Sequence, residues 1–222
     1  LADTRTTELF LREARVTARF SHPNIVTIYG VGEHADSVYV ALEYLEGRNL
    51  RERMSRERLG LREIVRVGLA MAQALRHAHS HEVLHRDLKP ENVLITRDGQ
   101  IRVLDFGLAV LVRGDKQSQI SSFEESQVPT ADFLATLGGG VCGTPWYMAP
   151  EQWQEETLTP ATDVWALGMN LLEMAGGHHP YKGLSANKIC AETSKESAFP
   201  VPDAVREHPR RLVRLIERCL HK

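Results

Sequence analysis

Cysteine is scarce and odd in number: Cys142, Cys190 and Cys219 stand far apart in the chain. That excludes a disulfide framework and fits reduced thiols in a cytoplasmic protein. Neither sign of charge dominates. A formal net charge of -2 leaves no electrostatic footprint for nucleic acid or for an anionic membrane. No apolar run is long enough to cross a bilayer and the N-terminus has no secretory pattern, so this segment is expected to make no membrane contact. Low-complexity stretches and internal repeats are absent as well. What is present is an ordinary globular composition, 42% hydrophobic and 25% charged over 222 residues. That is enough to bury a substantial core in one domain or in two small lobes. The chain opens on Leu1 and not on methionine, which places the expected true start upstream.

Periodicity organises the chain. Residues Thr4 to Phe20 read as a helix, with Leu9, Phe10, Glu13, Val16 and Phe20 at helical spacing. Ser21-His22-Pro23-Asn24 ends it, because proline disfavours helical geometry in the preceding residue. Ile25 to Tyr29 and Ser37 to Leu42 are rich in β-branched and aromatic residues and read as strands, with Gly30, Gly32 and the polar run Glu33 to Asp36 as the turn between them. Beyond Glu46-Gly47 the pattern becomes helical. Arg62 to Ser80 is amphipathic, with Ile64, Val67, Met71, Leu75 and Ala78 on one face. Val93-Leu94-Ile95 and Ile101 to Leu104 read as short strands joined by the turn Arg97-Asp98-Gly99-Gln100. From Val112 to Gly140 the sequence is polar and aperiodic, which suggests a long functional loop. Helices return at Ala161 to Ala175 and Arg210 to His221.

The segment His85-Arg86-Asp87-Leu88-Lys89-Pro90-Glu91-Asn92 is followed by Asp105-Phe106-Gly107 and then by Ala149-Pro150-Glu151. With Gly143-Thr144-Pro145-Trp146-Tyr147-Met148 and Asp163 to Gly168 in the same order, this set resembles the signatures of the protein kinases, from Glu13 to about Leu220. The resemblance implies a two-lobed α+β fold, ATP and Mg2+ as cofactors, and Ser/Thr-bearing protein substrates. It also implies a second copy as partner in autophosphorylation. Phosphoryl transfer needs a positioned hydroxyl, an in-line phosphate and cations against the spreading charge. Asp87 can take the hydroxyl proton, Asn92 and Asp105 are hard oxygen ligands for magnesium, and Lys89 can meet the transferred phosphate as a point charge. Lys89 and Thr144 both resemble the Ser/Thr class. By the same resemblance Glu13 pairs with an ATP-binding lysine, Leu42 is the gatekeeper, and Glu43-Tyr44-Leu45 is the hinge that meets adenine. Asp163 braces the catalytic loop, and His85 and Phe106 pack in the column of side chains linking the lobes. Phosphate on the long loop would pair with arginine and order it, with Thr136 first and Thr130, Ser121 and Ser122 as lesser candidates. Asp-Gly-Gln-Ile-Arg-Val-Leu-Asp-Phe-Gly-Leu-Ala and Met-Ala-Pro-Glu-Gln-Trp resemble bacterial members.

The chain departs from the family at its two ends. No glycine-rich phosphate loop and no strand lysine precede Glu13, and the arginine that partners the glutamate matched by Glu151 does not appear. The expectation is a truncated domain. Residues 1–46 would form a partial small lobe (one helix, strands and the start of the hinge) and residues 47–222 the large lobe. Such a piece is expected to be inactive by itself. The alternative is a pseudokinase or scaffold, favoured by the missing lysine and opposed by the intact Asp87, Lys89, Asn92 and Asp105. One pattern points elsewhere: His81-Glu82-Val83-Leu84-His85 fits the zinc-protease H-E-x-x-H. That chemistry needs both histidines on one continuous helix face, whereas Glu82 to Leu84 is expected to leave the helix. His77 and His79 are read as helix-surface residues.

Overall fold

A computed structural model describes residues 21–34, 37–106, 145–195 and 199–221. The expected helix Thr4 to Phe20, Gly107, the long loop with its candidate phosphosites, and Thr144 lie outside the described residues. The fold is α+β, and its residues cluster into two units. The described part of the first unit comes from residues 21–34, 37–53, 69–86 and 90–106, and that of the second from 54–68, 87–89, 145–195 and 199–221.

Both sheets belong to the first unit. Strand β1 (Ile28–His34) pairs antiparallel with β2 (Ser37–Leu42), in the register Val31 to Val40 and Gly32 to Tyr39. The second sheet has the order β3 (Gly47–Asn49), β4 (Val93–Thr96), β5 (Ile101–Val103), all antiparallel. The β4–β5 turn forms as expected: Gly99 takes φ 82°, the Thr96 N–H reaches the Gln100 carbonyl at 2.9 Å, and Asp98 accepts from Gln100 Nε2 at 2.7 Å.

Two expectations are corrected here. The strand expected at Ile25 begins instead at Ile28. Residues 24–26 give their backbone bonds to β5, through Val26 N–H to Val103 O (3.0 Å) and Val103 N–H to Asn24 O (2.8 Å), so the chain changes partner at Thr27. Gly30 and Gly32, expected in a turn, lie within β1. A Cβ on Gly32 would fall 2.6 Å from the Tyr39 hydroxyl oxygen, so the glycine makes room for a cross-strand tyrosine.

Helix α1 (Leu50–Arg56) is capped by Asn49, whose Oδ1 accepts the Glu52 N–H at 2.8 Å. Helix α2 (Leu61–His79) buries Ile64, Val67, Met71, Ala74, Leu75 and Ala78, the stripe expected from its period, and contributes to both units. Its end is a Schellman cap, with Glu82 left-handed at φ 61°, Val83 N–H on Ala78 O (3.0 Å) and Glu82 N–H on His79 O (3.0 Å).

The second unit is helical among its described residues. After the short α3 (Pro150–Trp153), helix α4 (Pro160–Gly176) starts at a Thr159 N-cap with proline at N1 and stops at Gly177, φ 76°. From Trp165 to Gly176 every residue of α4 is buried, as befits a helix covered on all sides. Two small helices are unforeseen from the sequence: α5 (Ala186–Thr193) packs by α3 and the turn at Pro145–Tyr147, and α6 (Asp203–Arg206) packs against α4. The expected last helix is α7 (Arg210–Cys219), which turns Leu212, Val213 and Ile216 inward. It comes close to α4 at Gly168, where a Cβ would lie 2.7 Å from Cys219 Cβ.

Candidate active site

In the first unit, the segment carrying Asp105 is tied down on both sides. The buried His85 donates from Nε2 to the Leu104 carbonyl at 2.9 Å, and its ring packs on that of Phe106 with centroids 4.6 Å apart. Since a carbonyl only accepts, the imidazole must carry its proton on Nε2. The Leu104 N–H in turn donates to the backbone carbonyl of Asn92 at 2.8 Å. Asp105 sits between these two pinned neighbours with φ 61°, a left-handed conformation that aspartate tolerates better than most residues. Asn92 is buried and closes a short 3-10 turn, Pro90–Asn92, that leads into β4. The fold therefore brings the segments of Asn92 and Asp105 side by side. An amide oxygen and a carboxylate are the residue types that suit a hard divalent cation.

The expected hinge residues belong to the same unit. Glu43 is anchored: its N–H donates to Thr27 O at 2.9 Å, its carboxylate accepts the Thr27 N–H at 2.8 Å, and Arg102 stands 3.4 Å from the same oxygen. The Glu43 side chain is thus spent on holding the strand ends. Leu42, expected as gatekeeper, is 39% exposed, Leu45 is half-buried, and Tyr44 between them is 88% exposed. Glu91, next to Asn92, accepts from Arg51 Nε at 2.8 Å.

In the second unit, Lys89 Nζ lies 2.6 Å from Asp87 Oδ2, an ion pair with charge-assisted hydrogen-bond geometry. Leu88 between them is wholly buried. Its carbonyl accepts from Asn170 Nδ2 of α4 at 3.2 Å, and the same nitrogen reaches Ala166 O at 2.7 Å. Asp163, expected to brace this loop, is buried near the start of α4. Glu151 accepts from the Thr162 hydroxyl at 2.6 Å. The 3-10 turn Pro145–Tyr147 places the Trp146 ring in a stack on the buried His179 (4.9 Å), whose Nδ1 accepts the Tyr181 N–H at 3.1 Å. The Tyr147 hydroxyl donates to the buried Glu173.

Of the residues singled out from the sequence, Asn92, Asp105, Leu42, Glu43 and Leu45 fall in the first unit and Asp87 and Lys89 in the second. Glu13 lies outside the described residues. Asn170 escaped the sequence reading. Its signal was a lone asparagine inside the run Leu167 to Leu172, a residue type that disfavours helix interiors and carries polar atoms into an apolar stretch. The zinc-protease pattern fails geometrically, because α2 closes in its Schellman cap before Val83, so His81 and His85 share no helix face.

Compared with known proteins, residues 2–222 match the family described as protein kinase domain. The serine/threonine-protein kinase PknD of Protochlamydia amoebophila is 34% identical over 227 residues, covering 95% of this chain and 23% of that protein. The serine/threonine-protein kinase PrkC of Bacillus subtilis is 33% identical, covering 90% of this chain and 28% of that protein. For the serine/threonine-protein kinase pkn3 of Myxococcus xanthus the figures are 32%, 99% and 38%. The chain thus spans 23% to 38% of the length of these relatives.

Proposed function

The chain belongs to the protein kinase family, in its Hanks-type bacterial Ser/Thr branch, and from that premise we propose that the protein containing it phosphorylates Ser and Thr hydroxyls of other proteins at the expense of ATP. The observation that carries this reading is the Lys89 ammonium 2.6 Å from the Asp87 carboxylate. A carboxylate so oriented can accept the proton of an attacking hydroxyl. The lysine beside it offers a positive charge to the phosphoryl group as negative charge spreads over its oxygens. When bound, Mg2+ and ATP would supply the phosphoryl donor and the charge neutralisation that transfer requires. Asn92 and Asp105 would hold the metal, a reading supported by the backbone bond that keeps their segments adjacent.

Glu13, Leu42, Glu43 and Leu45 are assigned to the nucleotide side, Glu13 through a strand lysine and the others through the adenine. Because the Glu43 carboxylate is engaged by Thr27 and Arg102, the hinge offers its backbone to the base. We place the boundary between small and large lobes at residues 46 and 47. The partners are Ser/Thr protein substrates and a second copy for autophosphorylation, and dependence on ATP puts the domain in the cytoplasm. No described helix is long and apolar enough to cross a membrane. Residues 1–222 contain no glycine-rich phosphate loop ahead of Glu13, so by themselves they are expected to transfer little phosphate.

The test is phosphate transfer from magnesium-ATP to a generic Ser/Thr substrate by the full-length protein, with Asp87→Asn and Asp105→Asn beside it. Transfer that is lost in both variants supports the assignment. Wild-type protein that binds partner proteins yet transfers nothing, with its loop phosphorylated, overturns it in favour of a binding module.

A further inference from the structure

Asn170 lies in the middle of α4, wholly buried, in a stretch where every neighbour from Trp165 to Gly176 is buried too. A polar side chain in such a place is destabilising unless hydrogen-bonded, and asparagine is a poor helix former. Its amide nitrogen makes two bonds of different kinds. The bond to Ala166 O, 2.7 Å away, joins residues one turn apart within α4 and is open to any short polar side chain at this position. The bond to Leu88 O, 3.2 Å away, spans 82 residues of sequence and ends between Asp87 and Lys89.

Burial of the Leu88 side chain holds this segment in place, but hydrophobic contact has no direction and by itself does not fix how the peptide group is turned. A hydrogen bond to the carbonyl does have direction. The peptide unit is planar, so fixing the Leu88 oxygen also fixes the Lys89 nitrogen and the direction in which the Lys89 side chain departs. We propose that Asn170 is a positioning residue for phosphoryl transfer: through the Leu88 carbonyl it sets the peptide plane on which the Asp87–Lys89 pair is built. This role rests on the kinase reading for its catalytic consequence and on the hydrogen bond alone for its structural one.

Two substitutions in the full-length protein separate the two bonds. Asn170→Leu removes both. Asn170→Ser keeps a bond to Ala166, because a serine hydroxyl folds back onto the carbonyl one turn before, but is too short to reach Leu88. Both variants are expected to lower kcat about tenfold while KM for ATP and for peptide stays within about twofold of wild type. Backbone hydrogen exchange at the Lys89 amide should quicken in both. Ile216→Val, in the core of α7, is the control: it lowers Tm without touching Leu88 and should leave kcat unchanged. The proposal is overturned by an Asn170→Ser variant with wild-type kcat, or by a kcat loss of the same size in Ile216→Val. Where Asn170→Leu does not fold, the serine variant decides. A wild-type protein without transfer activity would overturn the kinase reading, and unchanged exchange at Lys89 would then separately overturn the anchoring.

Discussion

Replacing His85 separates two things the residue does at once. Its ring packs against Phe106 at 4.6 Å and its Nε2 donates to Leu104 O at 2.9 Å, so it grips the residues on either side of Asp105. His85→Phe keeps an aromatic ring in the same volume and removes only the donor. The half-buried Leu104 carbonyl then loses that partner, at a cost of about 0.5–1.5 kcal/mol. His85→Ala removes the ring as well, and large-to-Ala changes in a core cost about 3–5 kcal/mol for aromatic residues. Against a typical total stability of about 5–15 kcal/mol, the alanine variant is close to unfolding and the phenylalanine variant is not. His85→Phe is therefore the informative one. Asp105 is held at φ 61°, a backbone state that costs about 1–3 kcal/mol and persists only while its surroundings hold it. With the Leu104 carbonyl freed and only its N–H still held by Asn92, Asp105 is expected to relax toward the common regions of φ and its carboxylate to leave the place where, on the proposed assignment, it would face the metal. A loss of about 1.4 kcal/mol in cation binding is a tenfold change in affinity. Initial rates of the full-length protein, measured over a magnesium titration at saturating ATP, should show half-maximal activity at about tenfold higher magnesium. The KM for peptide should not move. A His85→Phe protein that melts lower than wild type yet titrates with magnesium identically would refute the link from His85 to Asp105 and leave the histidine as core packing alone.

Acid should weaken the first unit through the stacked rings of His22 and His77, whose centroids are 4.9 Å apart with His81 4.6 Å beyond His77. Burial first, then the neighbouring His77, Arg76 and Arg102, holds His22 below its ordinary value of 6.5, and burial with His81 and Arg76 does the same for His77. A lowered folded value means that the unfolded chain binds the proton more tightly. The contribution is full above pH 6.5 and is lost as pH falls through the depressed values. Melting temperatures between pH 8 and pH 5 should fall, and His77→Phe should flatten the profile; an equally steep profile in that variant would locate the titration elsewhere. Gly168→Ala sets a gain in helix propensity of about 1 kcal/mol against overpacking of about 1–3 kcal/mol. The new Cβ would stand 2.7 Å from Cys219 Cβ and 2.9 Å from Leu220 Cδ2, so the clash should win and Tm should drop by a few degrees. A rise in Tm would show that α7 gives way without cost.

What could be read from the chain alone follows from where the constraint lies. Asp87, Lys89, Asn92 and Asp105 stand out in the sequence before any contact is known because they sit in motifs whose residue types and order resemble the kinase signatures. Helix α2 is legible for a different reason: nineteen residues give a period long enough to recognise, and the buried stripe from Ile64 to Ala78 is that period. Short elements have no such redundancy. Three residues of β3 and four of α6 hold less than two periods of any pattern, and they exist because neighbours already in place pair with them or cover them. The change of partner at Thr27 was illegible for a further reason, since β-branched residues favour an extended backbone without saying which strand will accept its hydrogen bonds. Asn170 is the sharpest case. Its unsuitability for an apolar helix was visible at once, but the compensation lies 82 residues away on a backbone carbonyl, which has no side-chain identity to read. A residue that breaks a local rule marks a place where tertiary structure supplies the missing bond. Here that bond ends on the residue between the proposed base and the proposed phosphate-binding lysine.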